Sequence, residues 1–202
     1  MPNLYLVPDA SASNELEIKR SRFIGFIEPV SSREQALELL TRLRQQYPDA
    51  RHHCWAYRVG SPRSPSAEAC SDDGEPQGTA GRPMLNVLQH QSISDVMVVV
   101  VRYFGGIKLG AGGLIRAYTD AVQATVAKTV LRPRQEMVCC RLRCGYEYEA
   151  ALRHAIEKED GEWLDTVYSA EVELRVSIPQ SSLERFKRVS QDICRGQVEF
   201  QF

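Results

Sequence analysis

The chain has 202 residues, of which 43% are hydrophobic and 25% are charged, and its net charge is −1. This composition is that of a folded globular protein and excludes an intrinsically disordered chain. The near-neutral charge also argues against the overall basic footprint of many nucleic-acid-binding domains. The sequence holds no apolar run of about 18 residues and no basic start followed by an apolar leader. We therefore expect a cytoplasmic protein without a membrane partner, whose six cysteines are reduced thiols because no CxxC pair or secretion signal accompanies them.

The first predicted elements are a strand, a helix and a second strand. Ser21–Val30 alternates apolar residues in the manner of a strand. Ser31 or Ser32 then caps a helix that ends before Pro48. His52–Val59 is rich in aromatic residues and is predicted to be the next strand.

The middle of the chain is richer in turn residues. The polar segment from Pro62 to Gly78 is too long to be a simple turn. A short helix is predicted around Arg82–Gln91, and the β-branched run of Ile93–Phe104 predicts a central strand buried on both faces. After a glycine-rich turn, apolar residues at helical spacing predict a helix over Leu114–Leu131.

A domain boundary is predicted at Arg132–Gln135, between domains of residues 1–132 and 136–202. The second domain is predicted to contain strand, helix, strand, strand, helix and strand, at Met137–Cys144, Glu149–Lys158, Glu162–Ser169, Val172–Ile178, Ser182–Cys194 and Gln197–Phe202. This βαββαβ order is ferredoxin-like. The predicted fold class is therefore α+β with two domains.

Glycines are concentrated in the part of the chain most suited to function. Eight of the 13 lie between Gly74 and Gly113. Since glycine is costly inside regular structure, such clustering indicates unusual backbone angles or close approach to a ligand. GGIKLGAGG, which starts at Gly105, leads from a buried strand into a helix N-terminus, where unpaired N–H groups favour an anion. The alternative is that these glycines only form a tight strand-to-helix connection.

The glycine-rich segments, with DARHHCWAY from Asp49 to Tyr57 ahead of them, resemble the bacterial, YigZ-type branch of the IMPACT family. The residues that match the family pattern are Gly81, Met84, Leu85, Val98 to Val101, Arg102, Tyr103, Phe104, Gly105, Gly106 and Gly110. The resemblance implies a first domain similar to the second domain of a small-subunit ribosomal protein, and a second domain similar to a ferredoxin-like domain of elongation factor G. It also implies a role near translation, because eukaryotic members bind a ribosome-associated activator of a kinase that phosphorylates an initiation factor.

The leading functional hypothesis is a translation-associated regulatory or binding protein, which favours a binding role over catalysis and leaves enzymatic activity open. The predicted partners are RNA, the ribosome or a translation factor, with a homodimer as a further partner and with no cofactor. Contacts to a phosphate backbone or another anion are predicted for Arg82, Arg102, Gly105, Gly106, Lys108, Gly110, Gly112, Gly113 and Arg116. Tyr103, Phe104 and Tyr118 could stack on bases, although aromatic residues more often serve core packing.

The competing hypothesis is a metal-dependent hydrolase or transferase that acts on a phosphorylated small molecule. Asp72, Asp73 and Glu75 would hold the metal, and His53 with Asp73 would carry the catalysis. Neither GxxxxGK[ST] nor GxGxxG is present, which disfavours an ATPase or a dinucleotide-binding enzyme. Cys54 shows no cause for a lowered pKa and is predicted to be a buried structural thiol.

Overall fold

The computed structural model describes residues 4–202, so the first three residues of the predicted first domain lie outside the described residues. The fold is mixed α/β and has two compact units, Tyr5–Arg134 and Gln135–Phe202, with Leu4 grouped with the second. The strands are β1 (Leu4–Pro8), β2 (Ala12–Ile18), β3 (Ser21–Pro29), β4 (His52–Ser61), β5 (Ser64–Ser71), β6 (Val96–Tyr103), β7 (Leu131–Gln135), β8 (Met137–Cys144), β9 (Glu162–Tyr168), β10 (Val172–Pro179) and β11 (Glu199–Gln201). The helices are α1 (Arg33–Gln46), α2 (Gly81–His90), α3 (Ala111–Ala127), α4 (Glu149–Lys158) and α5 (Leu183–Ile193).

The first unit is built around a five-stranded antiparallel sheet with the strand order β2-β3-β6-β4-β5. Every residue of β6 from Val96 to Arg102 is buried, which confirms the prediction of a central strand covered on both faces. Helix α1 covers one face and helices α2 and α3 cover the other. Strands β1 and β7 pair in a separate two-stranded sheet.

The alternation of β6 separates the two cores of the first unit. Val98 and Val100 pack with residues of α2 and α3. Met97, Val99 and Val101 pack on the opposite face with the apolar stripe of α1. Successive side chains of a strand point to opposite faces, so an unbroken valine run is what a sheet between two helical layers requires.

Helix bounds agree with the sequence pattern where a polar cap is present. The Ser32 hydroxyl accepts a hydrogen bond from the backbone N–H of Gln35 at 3.3 Å, and α1 begins directly after this cap. Helix α3 begins at Ala111 and ends at Ala127, whereas the sequence predicts Leu114–Leu131. The start differs because two glycines occupy the first turn and conceal the beginning of the apolar pattern, and the end differs because residues 128–130 leave the helix before β7 begins at Leu131.

Strand β5 is an element that the sequence pattern does not predict. It pairs with β4 at the edge of the sheet, inside the segment rich in turn residues. Pro65 is tolerated there because an edge strand leaves one side of its backbone without a ladder partner. The inward residues Ala67 and Ala69 pack against the α1 core, but they are too small to produce a visible apolar alternation. Strands β1 and β2 are likewise not predicted from the pattern.

The second unit follows the predicted βαββαβ order. Its four strands form an antiparallel sheet in the order β11-β8-β10-β9. One core contains Leu142 and Leu174 from the sheet, Leu152 from α4 and Phe186 from α5. Strand β11 is shorter than the predicted Gln197–Phe202. No helix within residues 4–202 is both long enough and apolar enough to cross a lipid bilayer.

Candidate functional site

A cleft of about 310 Å³ lies in the first unit where β6 ends and the glycine-rich turn leads into α3. Its walls come from the start of β4, the acidic turn after β5, the end of β6 and the first turn of α3. The lining residues are Arg51, His52, Glu75, Pro76, Arg102, Phe104, Lys108, Leu109, Gly110, Ala111 and Leu114. The glycine-rich turn and the acidic turn, which are about 30 residues apart in the sequence, therefore meet in one cleft.

The path of the turn depends on glycine at specific positions. A Cβ atom on Gly105 would lie 2.0 Å from the carbonyl group of Arg20, so only glycine lets the chain pass this close to the β2–β3 connection. Gly110 has φ +72°, a left-handed conformation that other residues rarely adopt. These two residues direct the chain from β6 into α3 and so position the cleft.

The N-terminus of α3 is open toward the cleft. Gly110 precedes the helix and provides no side-chain cap, and the first turn has no acidic residue. Both Gly110 and Ala111 line the cleft. The unpaired N–H groups and the helix dipole thus place partial positive charge at this wall.

The N-terminus of α2, unlike that of α3, is already capped by an acidic side chain. The Asp72 carboxylate accepts hydrogen bonds from the backbone N–H groups of Gly78 at 2.8 Å and of Ala80 and Gly81 at 2.9 Å. Partial burial alone would raise the pKa of Asp72, but these three donors outweigh it and the pKa is lowered. Asp72 is therefore an internal helix cap.

A buried polar network supports the floor of the cleft. Arg102 Nη1 donates to Glu75 Oε1 at 2.5 Å, and the two side chains are 7% and 4% exposed. The Tyr118 hydroxyl donates to the same oxygen at 2.8 Å. The Arg102 guanidinium also lies 5.4 Å from the Phe23 ring centroid and 5.7 Å from that of Phe104. Its Nε has no hydrogen-bond partner within residues 4–202.

Cys54 lies at the inner end of this network. Its Sγ is 2.9 Å from the Asp72 carbonyl oxygen and 3.2 Å from the Tyr118 hydroxyl. Burial raises the pKa of the Cys54 thiol well above its ordinary value, and burial likewise raises the pKa of Tyr118. A thiol that stays protonated is a poor nucleophile, so this arrangement agrees with a structural cysteine.

The carboxylates of the alternative metal site have separate partners. Asp72 caps α2, Glu75 pairs with Arg102, and Asp73 accepts from Arg44 Nη2 and from the His53 backbone N–H, both at 2.7 Å. Within the described residues no three His, Cys, Asp or Glu side chains are grouped so that they could hold a metal ion. The structure therefore does not bring the three acidic residues together around one point.

The two histidines that start β4 have different surroundings. His52 lines the cleft, and its Nδ1 donates to the Asp73 carbonyl oxygen at 2.9 Å. His53 points to the other face of the sheet, beside the backbone of Leu43 in α1 and of Tyr47 directly after it. Burial lowers the pKa of His53, although the neighbouring Asp73 acts in the opposite direction. His53, the base of the alternative hypothesis, is not among the residues that line the cleft.

Only some of the residues predicted to contact an anion line the cleft. Arg102, Lys108 and Gly110 line it, whereas Arg82 and Arg116 are exposed on α2 and α3 outside the lining. The other predicted glycines, Gly105, Gly106, Gly112 and Gly113, are also outside the lining.

Arg51 is the cation that the sequence reasoning missed. His52 is the direct antiparallel partner of Arg102, so the start of β4 lies beside the end of β6. A basic residue immediately before a strand that pairs with β6 is the signal that could have identified Arg51.

Comparisons with known proteins cover both units. Residues 19–126 match the Impact N-terminal domain, and residues 142–197 match a domain of unknown function, DUF1949. The IMPACT family member YigZ of Escherichia coli is 35% identical over 195 residues, which covers 96% of this chain and 96% of that protein.

Similarity also extends to a eukaryotic protein and to a solved structure. Protein IMPACT of Xenopus laevis is 36% identical over 107 residues, 52% of this chain and 34% of that protein. A crystal structure of a hypothetical protein superimposes with a TM-score of 0.70 at 35% identity, covering 99% of this chain and 97% of that chain.

Proposed function

Because the chain belongs to the IMPACT family, we propose that it is a translation-associated binding protein whose first unit contacts the phosphate backbone of RNA, free or within the ribosome. With this function we also propose the relationship that the family resemblance implies, to the second domain of a small-subunit ribosomal protein and to a domain of elongation factor G. The structural observation that carries the proposed function is the cleft, which is lined by Arg51, Arg102 and Lys108 and by the uncapped N-terminus of α3.

Each part of the cleft has a role in this function. Arg51 and Lys108 are exposed at the cleft and can donate charge-assisted hydrogen bonds to a phosphate. The N–H groups at Ala111 and beyond add backbone donors of the kind that helix N-termini offer to anions. Arg102 is paired with the buried Glu75 carboxylate, and its Nε–H has no hydrogen-bond partner within residues 4–202.

Phe104 adds an apolar surface to the cationic cleft. Its side chain is 52% exposed, and it lines the same cleft as Lys108. An exposed ring next to a phosphate contact allows an unpaired base to stack, which is a sequence-tolerant way to bind single-stranded RNA. The cleft thus offers the two features that single-stranded nucleic acid requires.

The experiment is co-sedimentation with ribosomes, together with RNA binding at several salt concentrations, for wild type and for an Arg51→Ala/Lys108→Ala double variant. Loss of two phosphate contacts should weaken binding by roughly tenfold or more and reduce the slope of log K against log salt by about 2. The control is Arg63→Ala/Lys128→Ala, which removes the same charge from exposed positions outside the cleft. Equal weakening by the control, or no binding by wild type at low salt, would contradict the proposal.

A second double variant measures how far the interface extends. Arg82→Ala/Arg116→Ala removes the two predicted cations that lie outside the cleft. Weaker RNA binding by this variant would extend the interface along α2 and α3, and unchanged binding would confine it to the cleft.

A further inference from the structure

The second unit exposes one face of its sheet, on the side away from α4 and α5. Cys139, Arg141 and Arg175 lie on this face, and all three are exposed. Arg141 and Arg175 are direct partners across the antiparallel β8–β10 pair. Like charges opposite each other in this position are destabilising unless something between them is negative.

The neighbouring arginine on the same face shows how the sheet neutralises a cation. Arg143 lies within 4.0 Å of carboxylate oxygens from Glu171, Glu173 and Glu199. Within the described residues, the one ion pair of Arg141 is a 3.7 Å contact with the shared Glu173. The acidic side chains are therefore gathered at one end of the face.

Arg175 forms no ion pair within 4 Å with any residue of the described chain. Asp165 is its cross-strand partner on β9, but the Asp165 carboxylate instead accepts a hydrogen bond from the backbone N–H of Thr166 at 2.8 Å. The strand register places Asp165 beside Arg175, but the Asp165 carboxylate is hydrogen-bonded to the backbone of its own strand. The charge of Arg175 is therefore not balanced by an ion pair within residues 4–202.

A pocket of about 340 Å³ is located at these arginines. It is lined by Cys139, Cys140, Arg141, Arg175, Gln201 and Phe202. Gln201 is the β11 partner of Arg141, so guanidinium, guanidinium and amide groups come from three adjacent strands. The Phe202 ring, 68% exposed, forms an apolar wall.

From this arrangement we infer that the pocket binds a phosphate group, carried either by a small phosphorylated molecule or by a nucleic-acid backbone. Two planar guanidinium groups provide several N–H donors in the geometry that a phosphate accepts. The charge of Arg175, which has no ion pair within the described residues, and that of Arg141, whose contact with Glu173 is 3.7 Å long, provide the attraction. This site belongs to the second unit and does not depend on the function proposed for the first.

Cys139 provides a local reporter for the test. It is the exposed cysteine of the six, while Cys70 is partly buried and the other four are buried. The rate of alkylation of Cys139 by iodoacetamide, followed on the peptide by mass spectrometry, should fall when inorganic phosphate or a short oligoribonucleotide occupies the pocket. Arg141→Gln/Arg175→Gln should raise the ligand concentration needed for protection by roughly tenfold or more. Circular dichroism checks that this surface variant is folded.

Arg143→Gln is the matched control, since it removes a charge from the same face at a position that already has acidic partners. If the Arg143→Gln variant still shows protection of Cys139 at the wild-type ligand concentration, the result supports phosphate binding in the pocket. Protection by phosphate alone indicates a small phosphorylated ligand, and protection by the oligoribonucleotide alone indicates a nucleic-acid backbone. Equal loss in Arg143→Gln, or no protection by either ligand, would overturn the inference.

The oligoribonucleotide measurement is repeated with the Arg51→Ala/Lys108→Ala variant. Protection of Cys139 should persist there, because both substitutions lie in the first unit. Loss of protection in that variant would assign the effect to RNA held at the first unit and would also overturn the inference. If the protein does not bind RNA but phosphate still protects Cys139, the function proposed for the first unit is wrong and the phosphate site of the second unit is supported.

Discussion

Glu75 is an acidic residue in a polar turn, yet its side chain is 4% exposed. A buried carboxylate must be paired, and Arg102 and Tyr118 both donate to the same oxygen. Removing one member of a buried ion pair typically costs about 3–5 kcal/mol because its partner remains buried and uncompensated. Binding studies therefore require variants at the exposed cations Arg51 and Lys108, whose loss leaves this pair intact.

Asp72 links folding stability to pH. Its pKa is lowered by three backbone N–H donors at the start of α2, so its contribution is fully present above the ordinary value of 3.8 and is lost as pH falls through the lower, folded-state value. Asp72→Ala should cost about 0.5–2 kcal/mol of unfolding free energy at pH 7, as for other helix caps. Urea unfolding at pH 7 and at pH values below 3.8 measures both quantities.

Asp120→Ala is the control for this prediction, because Asp120 is exposed within α3 and caps no helix. The difference between the two variants should shrink as the solution is acidified. A penalty for Asp72→Ala that is independent of pH would show that the carboxylate charge contributes nothing at α2.

At the scale of elements, the connection from β6 to α3 distinguishes two glycines. A Cβ on Gly105 would lie 2.0 Å from backbone atoms of Arg20. A Cβ on Gly112, in the first turn of α3, would meet nothing within 4 Å in residues 4–202 apart from its chain neighbours and the adjacent backbone of its own helix. Gly105→Ala should unfold the protein or lower its stability by several kcal/mol. Gly112→Ala should stabilise it by roughly 0.5–1 kcal/mol, because alanine loses less conformational entropy in a helix.

Thermal unfolding of the two glycine variants provides the measurement. Equal stabilities would mean that the chain relaxes around Gly105 and that the close approach does not define the turn. A destabilising Gly112→Ala would indicate that an adjacent group needs the space above the first turn of α3.

Elements were predictable from the sequence where a physical pattern was strong. Helix α1 has a serine cap, an apolar stripe and a following proline, and β6 contains four consecutive valines, Val98 to Val101. Strand β5 lacked such a pattern because its inward positions are alanines and Pro65 is compatible with an edge strand. Small inward residues bury little area and leave almost no periodic signal.

The cleft was only partly predictable, because its composition depends on strand register. The basic residues Arg102 and Lys108 were visible as candidates in the glycine-rich segment. That Arg51 joins them follows from the pairing of His52 with Arg102. That Glu75 is paired with Arg102 and not available to a metal follows from the path of the acidic turn, which local residue patterns do not encode.

At the scale of the whole molecule, each unit has its own hydrophobic core. Residues 1–135 should therefore fold cooperatively without the second unit. A fragment of residues 1–130 should be less stable by at least about 1 kcal/mol, since it lacks β7, the partner of β1, and the 2.8 Å contact of Arg134 with Asp95. Urea unfolding followed by circular dichroism compares the two fragments. Equal midpoints would mean that β7 does not stabilise the first unit.

The Glu75–Arg102 pair also has an evolutionary consequence. A descendant that loses either residue alone keeps a buried, uncompensated charge, so most single replacements should be eliminated by selection. The two positions should accordingly change together among descendants, through simultaneous replacement or reversal of the pair, although they are 27 residues apart in the sequence. Their shared inheritance would make the floor of this cleft one of the slowest parts of the first unit to diverge, whatever molecule occupies the cleft.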